Sequence, residues 1–131
     1  MTRSRKDRFP VMSTKIYEYK GCSTCQKALK FLDSKKVAYE KKAIVDEPPT
    51  KAELKRMLEL LRAQGGSIKN LFNTSGLVYR EMKLGEQLAN MSEADALTLL
   101  SKNGKLVKRP FVLTAKTGLV GFKEAVWKKV F

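Results

Sequence analysis

Apolar positions along this chain alternate between two spacings, and the changes of spacing mark its elements. Ile16, Tyr17 and Tyr19 load Thr14–Lys20 with strand-forming side chains, which predicts a first strand. After Gly21 the period lengthens. Cys25, Ala28, Leu29 and Leu32 share one helical face, so a helix is expected from about Cys25 to Lys36. Val37–Val45, with partly alternating Val37, Tyr39 and Lys41, reads as a second strand ended by the Asp46–Pro49 break. Thr50 and Glu53 then form a capping box. The helix behind it has its apolar face at Leu54, Met57, Leu58 and Leu61 and stops at Gly65 and Gly66.

Ser67–Leu88 is less regular. Ile68, Leu71 and Phe72 suit a short helix, and Asn73-Thr74-Ser75-Gly76 is a turn. Thr74 or Ser75 is expected to cap a helix at Leu77–Met82. Ser92 and Asp95 make a second capping box, and Ala96, Leu97 and Leu100 carry that helix to about Lys102 before Asn103 and Gly104 end it. Phe111–Leu113 is a short buried strand with Pro110 at its start. Ala115–Gly118 turns the chain into a return strand at Leu119–Gly121. Lys123–Phe131 closes it as a helix with Val126, Trp127 and Val130 on the apolar side.

The order is β-α-β, several helices, then β-β-α, which predicts an α/β layer with a small mixed sheet. Residues 14–131 read as a single domain, and the helices of about 50–102 are long enough to form an inserted subdomain. Residues 1–13 read as a disordered arm: Arg3, Arg5, Lys6 and Arg8 crowd it and Pro10 blocks regular structure. Met12, just ahead of the first strand, is an alternative translation start.

Composition narrows the class. With 131 residues, 43% hydrophobic and 31% charged, the chain can bury a real core and is expected to be soluble. No apolar run is long enough to span a membrane, and the basic N-terminus has no apolar centre of a secretory signal. A cytoplasmic location is therefore expected. The net charge is +14, from 27 Lys and Arg against 13 Asp and Glu. Such a balance suits a small oxyanion or an acidic partner. Direct nucleic-acid binding is the weaker reading, because the charge is spread out with no basic block interleaved with aromatics.

The chemistry concentrates at Cys22 and Cys25, the chain's two cysteines, in Cys-x-x-Cys spacing between strand and helix. Cys22 precedes the first helical turn, where free N–H groups and the helix dipole stabilise a thiolate, and Lys20 and Lys27 add to that field. Cys25 falls on the buried stripe. With no histidine and no second cysteine pair, a four-ligand Cys/His metal site cannot be built. Burial as core filler suits Cys25 alone; the strand–CxxC–helix context points to a redox or nucleophilic thiol.

The CSTCQKALKFL opening, the element order, the NTSGLVYREM segment and the KRPFVLT strand resemble the thioredoxin-fold arsenate reductase family. That family includes glutaredoxin-coupled arsenate reductases and Spx-type transcription regulators. The resemblance covers nearly all of 14–131 and implies a thioredoxin-like fold with a four-stranded mixed sheet. It implies that Cys22 is the nucleophile, that Arg109 binds the substrate oxyanion and that Pro110 is a cis-proline facing the nucleophile. Arsenate-reducing members carry a serine and then an arginine where Cys25 and Gln26 stand here. They also carry an arginine near Asn73–Gly76, where this chain has none, and another near Gly121–Lys123, where only Lys123 is available. Arginine forks suit arsenate better than single ammonium groups, so these departures shift the site towards Spx-type and thioredoxin-like chemistry.

Three functions follow as expectations. The first is a thiol-dependent reductase of a small oxyanion or a disulfide, with Cys25 resolving the adduct on Cys22 and glutathione, glutaredoxin or thioredoxin as external reductant. Lys20, Ser23, Thr24, Thr74, Ser75 and Pro110 are its substrate-binding candidates; no tightly bound cofactor is expected. Gly76 with Thr74 and Ser75 either shapes the loop near the thiol or caps a helix, and Tyr79 and Arg80 lie either at the rim of the site or on an exposed helix face. The second is an Spx-type redox switch that binds RNA polymerase. The third, nucleic-acid binding, rests on charge alone.

Overall fold

A computed structural model describes residues 14–74 and 76–131 of the chain. The expectations for the N-terminal arm, including Met12, and for Ser75 lie outside the described residues. Strand β1 is Lys15–Glu18, followed by helix α1 (Ser23–Ser34) and strand β2 (Glu40–Ala43). Helices α2 (Lys51–Ala63), α3 (Leu77–Glu81), α4 (Leu84–Gln87) and α5 (Glu93–Lys102) come next, with short 3-10 turns at Ile68–Leu71, Leu88–Asn90 and Gly104–Leu106. Strands β3 (Phe111–Leu113) and β4 (Gly118–Val120) and helix α6 (Glu124–Val130) complete the order. The strands form one mixed sheet in the order β2-β1-β3-β4. β1 and β2 are parallel, while β1–β3 and β3–β4 are antiparallel.

Strand alternation splits the core in two. Ile16 and Val112 face α1 and α6, packing with Ala28, Leu29, Leu32, Leu119 and Trp127. Tyr17, Phe111 and Leu113 face the other way, into a larger cluster with Leu54, Met57, Leu58, Leu71, Phe72, Leu97 and Leu100. The helices of 51–102 thus form the second layer of the sheet's own core.

The ends of elements differ from the sequence expectation in instructive ways. α1 starts at Ser23 because the Cys22 side chain caps it. β2 is shorter than Val37–Val45 because it is an edge strand paired only along Lys15–Glu18. Gly76, not Thr74, sits at the N-cap of α3, and no side chain caps that helix. On α6, Trp127 alone is buried, within an aromatic group of Phe31, Phe122 and Phe131. Val126 and Val130 are 40% and 38% exposed, because the helix meets the sheet along one narrow edge. Tyr79 is buried against Phe72, which removes it from any rim; Arg80 is on the exposed face.

Two contacts fix the second layer. Glu53, in the capping box with Thr50, also accepts hydrogen bonds from the Tyr17 hydroxyl at 2.7 Å and from Lys15 Nζ at 2.9 Å. One carboxylate therefore joins the start of α2 to β1. Gly104 lies against the Ile44 carbonyl so closely that a Cβ there would overlap backbone atoms. Gly104→Ala is expected to lower unfolding stability by about 1–3 kcal/mol, since the obstacle is main chain rather than a movable side chain. An unchanged denaturation midpoint would contradict this packing.

Burial alone would raise the Glu53 pKa, but the Thr50 N–H, the Tyr17 hydroxyl and Lys15 together lower it. A carboxyl with a lowered folded pKa stabilises the fold above its unfolded pKa of about 4.3, and that stabilisation fades as pH falls through the folded value. Glu53→Gln is expected to flatten the acid side of the stability–pH curve. Parallel acid limbs for variant and parent would refute the assignment.

Candidate functional site

Cys22 stands at the junction of β1 and α1. The Cys22 N–H donates to the Tyr19 carbonyl at 3.0 Å, closing the turn through Gly21. The residue then serves as N-cap, with extended φ and ψ of −93° and 113°. Its Sγ accepts the Cys25 backbone N–H at 3.3 Å. Cys22 is half-buried, whereas Cys25 is completely buried one turn along. Both are free thiols.

The two sulfurs are driven in opposite directions. Burial on its own would raise the Cys22 pKa. Hydrogen bonds from the Cys25 thiol and backbone N–H, together with the donors and charge of Arg109, outweigh it and hold Cys22 below its ordinary value. For Cys25 burial dominates; the neighbouring Cys22 reinforces it, against a lowering contribution from the Tyr19 N–H, and the pKa is pushed up to about 12. The pair is therefore polarised: Cys22 is the more readily ionised sulfur and Cys25 the one that keeps its proton.

Long-range pairing brings Arg109 to this point. β3 lies antiparallel to β1, so the residues just before Phe111 reach the end of β1 that leads into α1. The Arg109–Pro110 peptide bond is cis. The guanidinium stacks 4.5 Å from the centroid of the Tyr19 ring, and its buried Nη1 has no hydrogen-bond partner among the described residues. A buried donor left unsatisfied beside a thiolate is suited to an incoming anion. Just upstream, Lys108 N–H donates to the Leu71 carbonyl and Asn73 N–H to the Leu106 carbonyl, each at 2.7 Å. This short antiparallel contact brings Asn73 and Gly76 to the same mouth.

The result is a cavity of about 550 Å³. Of the residues singled out from sequence, Cys22, Ser23, Thr24, Gly76, Arg109 and Lys123 line it. Lys20 does not; it is an exposed turn residue. Thr74 borders a separate smaller hollow, and Pro110 is buried behind the wall. Cys25 lies beneath the floor rather than in it. Tyr19, Lys108 and Phe122 also line the cavity but were not singled out from sequence. Lys108 had a signal, adjacency to Arg109. Tyr19 read only as a strand former, and nothing in the sequence pattern marked Phe122. Gly121, with φ of +73°, turns the chain beside them in a conformation that side-chain-bearing residues rarely adopt. Among the described residues no group of three or more His, Cys, Asp or Glu can hold a metal ion, and no helix is long and apolar enough to cross a membrane.

Comparison with known proteins follows the same lines. The sequence model of the ArsC family matches residues 17–130. An uncharacterised Bacillus subtilis protein, YusI, is 42% identical over 113 residues, covering 86% of this chain and 93% of YusI. The global transcriptional regulator Spx of Streptococcus agalactiae is 30% identical over 104 residues, covering 79% of this chain and 72% of Spx. A crystal structure of an ArsC family related protein from Bacteroides fragilis superposes with a TM-score of 0.82 at 47% identity, covering 90% of this chain and 97% of that one.

The electrostatics predict a rate test. Alkylation of Cys22 by iodoacetamide is expected to show a midpoint below the free-thiol value of about 8.5, with Cys25 unreactive in the folded protein. Arg109→Gln is expected to raise the midpoint by about one unit or more. A midpoint at the free-thiol value in the parent, or no rise in the variant, would remove Arg109 from the thiolate's environment.

Proposed function

This chain belongs to the ArsC family, and from that premise we propose that it is a thiol-dependent reductase with Cys22 as nucleophile and Cys25 as resolving thiol. One observation carries the reading: the half-buried Cys22 sulfur caps α1 in a cavity shared with Arg109 and accepts the N–H of Cys25, whose own thiol is buried directly behind it.

With a disulfide substrate, the Cys22 thiolate attacks one sulfur and expels the other as a thiolate, which takes a proton from water. Cys25 then gives up its proton and attacks the Cys22 sulfur. The second substrate thiol leaves, and a Cys22–Cys25 disulfide remains. Two electrons have passed from the cysteine pair to the substrate. With an arsenate-like oxyanion, Cys22 displaces one oxygen as water. The attack of Cys25 on Cys22 then leaves the electron pair on the central atom. In both cases Arg109 and the first N–H groups of α1 offset negative charge on the substrate. Ser23 and Thr24, at the cavity wall, are the side chains closest in sequence to that charge. An external thiol such as glutathione, or a dithiol protein such as glutaredoxin or thioredoxin, resets the pair, and no bound cofactor is required. The reducing cytoplasm is the compartment that keeps such a cycle turning.

A second reading is favoured by the similarity to Spx: the same disulfide acts as a redox switch on a basic protein that docks on RNA polymerase. Complex formation with purified polymerase in only one redox state would favour the switch.

Turnover with glutathione and glutaredoxin, using arsenate in one series and a small disulfide in another, tests the reductase. Cys22→Ser is expected to abolish activity. Cys25→Ser is expected to stop at a mixed disulfide on Cys22, visible by mass spectrometry. A Cys22→Ser variant that turns over as fast as the parent would overturn the proposal.

A further inference from the structure

A second cavity, of about 310 Å³, continues from the thiol cavity along the sheet edge that no other described strand pairs with. The two share Lys108, Val120, Gly121 and Lys123, so they form one groove leading away from Cys22. Its floor is β4, the last strand in the sheet order. The Gly121 N–H pairs with the Pro110 carbonyl and the Thr114 N–H with the Thr117 carbonyl. Antiparallel alternation therefore turns the Leu119 peptide groups towards Val112, and those of Gly118 and Val120 outwards. The walls come from the two helical layers: Leu61 of α2 and Gln64 at its C-terminal end on one side, Val126 and Trp127 of α6 on the other.

Such a slot has the shape of one missing strand. Backbone groups line its floor, apolar side chains stand on both walls and two ammonium groups lie where it joins the thiol cavity. An added strand turns its side chains alternately to the two walls. That supplies partners for Leu61 and for Val126, which is otherwise exposed. A bare tetrahedral oxyanion would use the two ammonium groups but neither the outward main-chain groups nor the apolar walls.

On the basis of the thiol-exchange reading above, we propose that the substrate is a protein disulfide presented in an extended acidic segment, which pairs with β4 and places its cysteine at Cys22. Main-chain pairing supplies affinity. Lys108 and Lys123 select acidic residues flanking that cysteine, by the focusing that raises encounter rates with opposite charge. The Cys22 thiolate attacks the substrate cysteine sulfur, the former partner thiolate leaves, and Cys25 then releases the reduced segment.

The test uses the full-length reduced protein and an eight-residue peptide, apolar along its length with acidic residues flanking its single cysteine, which carries thionitrobenzoate as a disulfide. Release of thionitrobenzoate is followed by stopped flow and compared with the same disulfide on N-acetylcysteine amide. The peptide is expected to react at least about tenfold faster, within the range that charge focusing supplies. Methylating alternate backbone nitrogens, in the register that faces β4, should remove most of the advantage, while methylating the other set should not. In Lys108→Glu/Lys123→Glu the preference should shift to a lysine-containing peptide. If Cys22 reacts well with the amino-acid disulfide but no faster with the peptide, the strand-docking inference falls and the thiol reading stands. Equal loss from both methylation registers also overturns it. If Cys22 reacts with both no faster than a free thiol, the reductase reading falls with it.

Discussion

A sulfur can stay ionised in a half-buried position only where donors and a cation already point at it. In this protein the fold meets that condition at Cys22. The first turn of α1 supplies the Cys25 N–H, the buried Cys25 thiol supplies a second donor, and Arg109 supplies charge. Arg109 is held in turn by the Tyr19 ring and by the pairing of β3 with β1. The requirement accounts for the asymmetry of the pair. The Cys25 thiol can donate to Cys22 because burial keeps it protonated, while Arg109 and the Cys25 N–H act independently of it.

The rest of the architecture keeps these parts in register. One helical layer, α1 and α6, packs on one face of the sheet and carries Cys22 at the start of α1. The other, from α2 to α5, supports the strand and loop that carry Arg109. The Glu53 carboxylate ties that second layer to β1, and the close approach of Gly104 to Ile44 ties it to the end of β2. The pairing of Asn73 and Lys108 with residues 106 and 71 then closes the mouth of the cavity. The outer edge of β4 prolongs that cavity into a groove.

Much of this was legible in the chain. The α1 stripe is a local pattern: Cys25, Ala28, Leu29 and Leu32 recur at helical spacing and are all buried. The capping box at Thr50 and Glu53 is equally local and forms as expected. Errors arose where local signals compete with packing. Tyr79 carries a polar tip that reads as a rim residue, yet Phe72 and the second layer enclose it. Val126 and Val130 follow helical spacing, but only Trp127 reaches the sheet. Lys20 is close to Cys22 in sequence, but the turn carries it away from the cavity.

Periodicity and spacing alone therefore determined the element order, the burial of Cys25 and the location of Cys22 ahead of a helix, because each depends on residues within one or two turns. The place of Arg109 opposite the thiol rested on family resemblance, and only the tertiary structure joined it to Tyr19, Lys108 and the edge of β4. Those groups meet through strand pairing across long stretches of chain, and no local pattern encodes which distant side chain a folded strand will bring alongside a given atom.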